Sequence, residues 1–441
     1  MSRVIIVGGG FAGIAAACHL AREDHHPLVL ERAPRLGGRA ASFFHSTANE
    51  IVDYGQHVLM RCCSSSLDLL ELLGMRHAVE VQRALNVPFV SPTGRAALHS
   101  STRLGRYHLA PSLLRFALLP LRDRLSVLCA AAALSSQAAI PNGPFSVWLA
   151  AHQQSIQAVS ALWDPICRAA LNATPEQVGA KAVHEFVREA LAVPLAAGMA
   201  PFTVPLSSIF DAARRHVEDR AGAVRLNAAV RGLWLDGARV RGVRLKSGEA
   251  IAADAVICAV CPQDLRPVAQ GIPALEGILS AASHLIWAPI VNLHAWFDRP
   301  VMDTAFAMAF RCPVQSVFDI TALHRGAPSA DLTHLVVSQS AAAEWMSQPP
   351  ADVARTLIRG LAELFPRARD AACVRQLVLR YPRATFVPGP GSQNLRPQTT
   401  TPVRGLYLAG DWVATGWPST IEGAIRSGFA AAEHALRGCR G

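Results

Sequence analysis

Gly8-Gly9-Gly10-Phe11-Ala12-Gly13 is a G-x-G-x-x-G run, and its setting gives it chemical meaning. The apolar run Val4–Val7 before it reads as a buried strand, and the Ala-rich stretch to Leu20 after it reads as a helix. Gly8 permits the tight turn, Gly10 lets the backbone approach a pyrophosphate, and Gly13 lets the helix pack close on the strand. Phe11 and Ala12 open a helix whose unpaired N–H groups and positive dipole end face phosphates. The next strand-like run, Leu28-Val29-Leu30, ends at Glu31, eighteen positions after Gly13. A carboxylate there is placed to accept both ribose hydroxyls of an adenosine. These residues predict a dinucleotide-binding βαβ unit and do not separate NAD from FAD.

Two further stretches hold groups that could act on a substrate. Asp53-Tyr54-Gly55-Gln56-His57 offers a carboxylate, a phenol and an imidazole within five residues, and Asp164 precedes Pro165. His57 suits proton transfer because an unperturbed imidazole titrates near neutrality. A structural hydrogen-bonding role beside the glycine turn is the alternative. Asp53 has the further option of binding backbone or a cofactor's polyol, Asp164 of capping a turn, and Tyr54 of packing. Near the C-terminus, Leu406–Ala409 reads as a strand ending in Gly410-Asp411, followed by Pro418-Ser419-Thr420-Ile421-Glu422. Ser419 and Glu422 have capping-box spacing, which predicts a helix starting there. Cys258 and Cys261 form C-x-x-C inside an apolar strand-like run, where they point to opposite faces. With no second pair at zinc spacing, no metal site is expected.

Arg35-Leu36-Gly37-Gly38-Arg39-Ala40-Ala41-Ser42 resembles the R-x-G-G-R-x-x-S/T signature of the flavin amine oxidase and carotenoid desaturase superfamily. That resemblance implies non-covalently bound FAD on an α/β fold. The fold is a Rossmann-type FAD-binding domain with an inserted mixed α+β substrate domain. It places Gly37 and Gly38 by the pyrophosphate, Arg39 on the cofactor, and the backbone of Val230 at the adenine. Arg32, Gly55, Gln56 and His57 also fall among the cofactor contacts. Asp411 is assigned to the ribityl or phosphate region, and the helix start over Pro418, Ser419, Thr420 and Ile421 to the isoalloxazine. The positive end of that helix would stabilise negative charge on reduced flavin.

Three stretches are similar to one branch, the hydroxysqualene dehydroxylases. They are Asp53–His57, like that branch's D-N-G-Q-H; Trp163-Asp164-Pro165 running to Ala170-Leu171-Asn172; and Gly410-Asp411-Trp412 with Thr415–Gly423. Tyr54 departs from the branch's usual asparagine. The resemblance implies that hydroxysqualene loses its hydroxyl as water and gains hydride at the allylic carbon, giving squalene. It requires an apolar tunnel, a proton donor (His57, Asp53, Tyr54 or Asp164) and exclusion of water. A carotenoid-type desaturase, an amine oxidase and a non-catalytic FAD scaffold are the rival readings. The amine oxidase branch commonly places a lysine near the flavin. This chain has only Lys181 and Lys246, neither in a cofactor motif. With one dinucleotide fingerprint, already taken by FAD, an unidentified external electron donor is expected.

The elements around these motifs suggest a discontinuous layout. Residues 1–60, 206–282 and 395–441 are expected to form the FAD-binding domain; 61–205, read as mostly helical, and 283–394 form the substrate-binding domain. A chain of 441 residues is long enough for two or three such units. Net charge of +10 with 51% hydrophobic residues, sparse aromatics and no nucleic-acid motif argues against nucleic acid and for a membrane surface. The oily stretch Phe116–Leu134, interrupted by Pro120 and charged residues, reads as a helix rather than a span. With Arg103, Arg106, Arg115, Arg122 and Arg124 around it, it is either an interfacial patch or a core-facing helix with a solvated basic face. The expected location is the cytoplasm, peripheral on the inner face of the cell membrane.

Overall fold

The computed structural model describes residues 2–101, 103–136, 139–194, 196–324 and 332–440. A five-stranded parallel sheet runs in the order Leu406–Leu408, Ala255–Cys258, Arg3–Val7, His26–Leu30, Ala223–Arg225. Strands from three distant stretches of chain thus share one sheet. All four residues Val4–Val7 are buried, as expected for a parallel strand covered on both faces. On one face lie helices Phe11–Arg22 and Ile421–Arg440, packed against each other through small residues. A Cβ at Gly428 would meet the Ala12 carbonyl oxygen at 2.2 Å, so this approach requires glycine. On the other face a three-stranded antiparallel ribbon, Val230–Asp236, Arg239–Leu245 and Ala250–Ala252, covers Ile5, Leu28 and Val256.

A second, seven-stranded sheet runs in the order Cys373–Phe386, Trp287–Phe297, Thr333–Ser340, Ser316–Asp319, Phe306–Ala309, Asn86–Ser91, Gly94–His99. Its last two strands form a hairpin within 61–205, a region read from sequence as mostly helical. Their hydrophobic alternation is short and interrupted by Pro88 and Pro92, and pairing with Phe306–Ala309 supplies the stability that local pattern lacks. The stretch around Phe116–Leu134 is likewise not one helix. A short helix, Ala110–Leu114, is followed by a turn, and Leu121–Ser135 starts only after Pro120, which holds an extended backbone. Arg124 is not part of a free basic face: it donates to the carbonyls of Leu119 (2.6 Å) and Leu114 (2.9 Å) and ties the turn together.

Candidate active site

The loops at the carboxyl ends of the parallel strands open into one cavity of about 1250 Å³, continuous with the near face of the seven-stranded sheet. It exceeds the roughly 300–1,000 Å³ usual for a single-ligand pocket.

At one end lies the glycine loop. Gly8, at φ +106°, donates its N–H to the Leu30 carbonyl at 2.9 Å. A Cβ at Gly13 would meet the Gly8 oxygen at 1.9 Å, so Gly13 serves packing and does not line the cavity. Gly8, Gly10, Phe11 and Ala12 do line it. Around Gly10 there is open space: its Cβ would meet only the Gly37 oxygen, at 3.9 Å. Gly38 faces it across the gap, and no side chain caps the helix that begins at Phe11. This uncapped helix end with two glycine backbones is a cradle shaped for a pyrophosphate. Glu31 is buried beside it, accepting from Gly9 N–H at 2.7 Å and Ala33 N–H at 2.8 Å. Arg32, Gly37 and Val230 continue the wall, Arg32 pairing with Asp264 at 3.0 Å.

In the middle, Arg39 forms a two-pronged ion pair with Asp411 and donates to the Ala384 carbonyl at 3.0 Å. Burial alone would raise the Asp411 carboxyl, but the Arg39 charge and hydrogen bond, with a bond from Ser419, outweigh it and hold the group below its usual range. Sequence reasoning missed Arg396, which donates to the carbonyls of Asp411 (3.0 Å), Val413 (2.6 Å) and Trp417 (2.7 Å) and fixes the loop after Gly410. Its signal, a lone arginine in an irregular segment, is invisible without the fold. Gly410, Pro418, Ser419, Thr420 and Ile421 all reach the cavity.

The helix start there differs from the capping-box expectation. Thr420, not Ser419, is the cap, accepting from Gly423 N–H at 3.2 Å, because the Ser419 hydroxyl is taken by Asp411. Glu422 turns away from the helix start: it accepts from Ser65 N–H (3.1 Å) and Ser66 N–H (2.8 Å) of a neighbouring helix and pairs with Arg426 at 2.7 Å. The C-x-x-C reading also needs correction. The strand ends at Cys258, and Cys261 lies beyond it, immediately before helix Pro262–Val268, with its thiol on Asp264.

The proton-donor candidates divide. Asp53 is away from the wall: it accepts from the Ser42 hydroxyl (2.6 Å) and from Leu206 N–H (3.1 Å) at the start of helix Leu206–Glu218, with burial raising its carboxyl to about 6. Asp164 is also off the wall, held by Arg168 at 2.9 Å on the first turn of its helix. Tyr54, Gly55, Gln56 and His57 line the cavity. Burial pulls the His57 imidazole down to about 4, so it is neutral at neutral pH. Its Nδ1 is a buried polar atom with no hydrogen-bond partner among the described residues.

From here an apolar arm extends between the far strands of the sheet and the helical part, past Phe89, Leu113, Leu162, Ile166, Leu191 and Met308. Two π-helical turns, Val159–Trp163 and Val187–Leu191, contribute to this wall. The arm reaches the surface at Arg106 and Tyr107. Asn172, in left-handed conformation after Ala170-Leu171, donates to Thr385 at 2.9 Å and accepts from Ala341 N–H at 2.6 Å, joining helices to sheet.

A glycine cradle at a free helix end, an Arg39–Asp411 pair whose carboxylate is buried and an attached apolar arm define a dinucleotide-dependent oxidoreductase site. Residues 11–436 match the model of the flavin containing amine oxidoreductases, and the chain belongs to that family. FAD is its cofactor. The open cradle between Gly10 and Gly38 and the unpartnered His57 nitrogen fit such a group. The chain is 28% identical to a hydroxysqualene dehydroxylase from Sinorhizobium fredii, over 98% of each chain. It is 23% identical to a 15-cis-phytoene desaturase from Glycine max, over 96% of this chain and 78% of that one. An oxidoreductase of known structure from Methanosarcina mazei shares the fold, with TM-score 0.74 and 16% identity over 98% of this chain and all of that one.

Proposed function

We propose that this FAD-dependent oxidoreductase reductively removes the hydroxyl group of hydroxysqualene to give squalene. The observation that carries this reading is the single cavity in which a dinucleotide cradle opens into a long apolar arm. Such an arm suits a polyisoprenoid rather than a charged amine. The full-length similarity to a hydroxysqualene dehydroxylase supports the choice of alcohol over hydrocarbon. In this reading residues 1–60, 206–282 and 395–441 bind FAD through the glycine loop, Glu31, Arg39, Val230 and Asp411. Residues 61–205 and 283–394 enclose the substrate.

Bound and reduced, FAD supplies hydride. The chain's own residues must do the rest. The arm excludes water, so an allylic cation meets hydride before it meets a hydroxyl. A group on the wall must protonate the leaving oxygen; Tyr54 and His57 are the candidates that reach it. No helix among the described residues is long and apolar enough to cross a membrane. The segment 103–125, which includes the arm's mouth at Arg106 and Tyr107, nevertheless carries exposed Leu104, Tyr107, Leu114, Leu121 and Leu125 among the exposed Arg103, Arg106, Arg115 and Arg122. This reading has them draw the substrate from an anionic lipid surface. Co-sedimentation with anionic but not neutral vesicles checks that part.

The test of function is an anaerobic single turnover: protein reduced with dithionite, hydroxysqualene added, flavin absorbance followed and lipid extracted. Flavin reoxidation matched by squalene is the expected result. The phytoene desaturase relative favours a second reading, oxidation of a C–H bond in a polyene. Reduction of the oxidised flavin by phytoene, with no reoxidation by hydroxysqualene, would replace the first reading with the second.

A further inference from the structure

Tyr54 stands on the cavity wall in a setting more elaborate than packing requires. Arg35 donates from Nη2 to the Tyr54 hydroxyl oxygen, and its guanidinium lies 5.5 Å from the centre of the same ring. Among the described residues no carboxylate pairs with Arg35, so its charge is directed at the phenol. Tyr381, on strand Cys373–Phe386, meets Tyr54 edge-on with ring centres 5.1 Å apart. Burial, and then Tyr54 itself, push the Tyr381 phenol up, so Tyr381 keeps its proton. Phe43 closes another side of the Tyr54 ring at 5.3 Å. The backbone is fixed as well: Asn292 donates to the Tyr54 carbonyl at 3.1 Å. A Cβ on Gly55 would meet the Asn292 amide nitrogen at 2.6 Å.

With Arg35 donating to its oxygen, Tyr54 has its own hydrogen free for a further acceptor, and Tyr54 lines the cavity. We infer that Tyr54 is the catalytic proton donor to the departing hydroxyl, and that Arg35, on its oxygen, and Tyr381, against its ring, are positioning residues for this task. The inference rests on the dehydroxylation reading. The substrate C–O bond breaks with its electron pair going to oxygen. The Tyr54 proton joins that oxygen and water leaves. The carbon receives hydride, two electrons, from the reduced flavin, which becomes oxidised. The negative charge left on the Tyr54 oxygen is met by the Arg35 cation already in contact with it, which stabilises charge where it develops. Water then restores the proton along the exposed side of Arg35. His57, neutral on the same wall, offers only the weakly acidic N–H of a neutral imidazole.

The test pairs two substrates with two readouts. In single turnover Tyr54→Phe should slow conversion of the alcohol by about 10²–10⁴-fold, the usual contribution of a general acid. It should convert the trifluoroacetate ester of the same alcohol, which departs without a proton, within about threefold of wild type. Arg35→Gln should show the same selective loss to a smaller degree, and Arg35→Lys should recover part of it. Without turnover, oxidised wild-type holoprotein should bind hydroxysqualene roughly 2–10-fold more tightly than squalene, as one hydrogen bond provides. Tyr54→Phe should abolish that preference. An equal loss on alcohol and ester, or none on either, overturns the assignment. If wild type converts no hydroxysqualene, the dehydroxylation reading itself fails, and the binding preference still decides whether Tyr54 donates to a hydroxyl.

Discussion

Gly10 and Gly13 stand three residues apart in one motif, and the structure predicts opposite consequences of giving each a methyl group. At Gly13 the added Cβ would lie 1.9 Å from the Gly8 oxygen. Ordinary contact begins near 3.4 Å, so helix Phe11–Arg22 must withdraw from the loop by about 1.5 Å. Neither partner is a flexible side chain. Overpacking of this kind costs about 1–3 kcal/mol, a fall in melting temperature of roughly 1–3 °C for a chain of this length. At Gly10 the backbone is extended, with φ −80°, and alanine adopts it freely. The Cβ meets only the Gly37 oxygen at 3.9 Å, so the apoprotein should be unchanged to within about 0.5 kcal/mol. That Cβ does, however, occupy the cradle. A wild-type protein in FAD at 100 times its Kd gains about 2.7 kcal/mol from binding, and Gly10→Ala should lose most of it. The assay is chemical denaturation of each variant with and without FAD, together with flavin retained on gel filtration. Gly13→Ala apoprotein as stable as wild type, or Gly10→Ala with its full FAD stabilisation, would refute the division of labour between the two glycines.

Other perturbations test the wall behind the cradle. Arg39→Met leaves the Asp411 carboxylate buried without its cation and should cost roughly 1–3 kcal/mol, less than for a fully enclosed pair because Arg39 is partly open to the cavity. Since the folded-state carboxyl lies below its ordinary 3.8, the pair's contribution is complete above that value and lost as pH falls through the folded one. The variant's deficit should therefore shrink on acidification in denaturation measured across pH. Asp53 behaves in the reverse sense. Its carboxyl is raised from 3.8 to about 6, so its contribution is complete below pH 3.8 and lost as pH rises through about 6, at most about 3 kcal/mol. Asp53→Asn should flatten that pH dependence and leave the chemical step intact; a folded variant without turnover would show that the group acts on substrate. Asp164→Asn, which weakens only the bond to Arg168, should keep single-turnover rates within about threefold.

The parts of this site that are local in sequence were readable there. Gly8, Gly10, Gly13 and Glu31 are bound to a strand–loop–helix–strand order, and one short window contains both the pattern and its physical reason. Contacts between distant residues were not readable. Arg39 and Asp411 were each assigned to the cofactor, yet their mutual pairing spans 372 positions and leaves no local trace. The same holds for Tyr381 beside Tyr54, and for Arg396. Local rules also lost where tertiary partners competed: Asp411 claims the Ser419 hydroxyl, and Glu422 serves a neighbouring helix, so the cap moves one residue to Thr420. Asp53 and Asp164 had chemically suitable side chains but face Leu206 and Arg168 rather than the cavity. The hairpin Asn86–His99 was missed because its strands draw their stability from Phe306–Ala309, more than two hundred residues on.

The strand order has a consequence for how the protein comes into being. The sheet that carries the glycine loop needs Leu406–Leu408 as its outer strand, and Arg39 meets its counter-charge only at Asp411. During synthesis at about 5–20 residues per second, some 20–70 s separate the emergence of these two residues from the ribosome. From the synthesis of Ala255–Cys258 until that of Leu406–Leu408, the nascent chain presents the open edge of the former and a half-built binding loop. Cofactor loading is thus a late event, after nearly the whole chain has been made. A ribosome that stalls before codon 406 would leave a polypeptide with its glycine loop made, its sheet without the outer strand and Arg39 without its carboxylate.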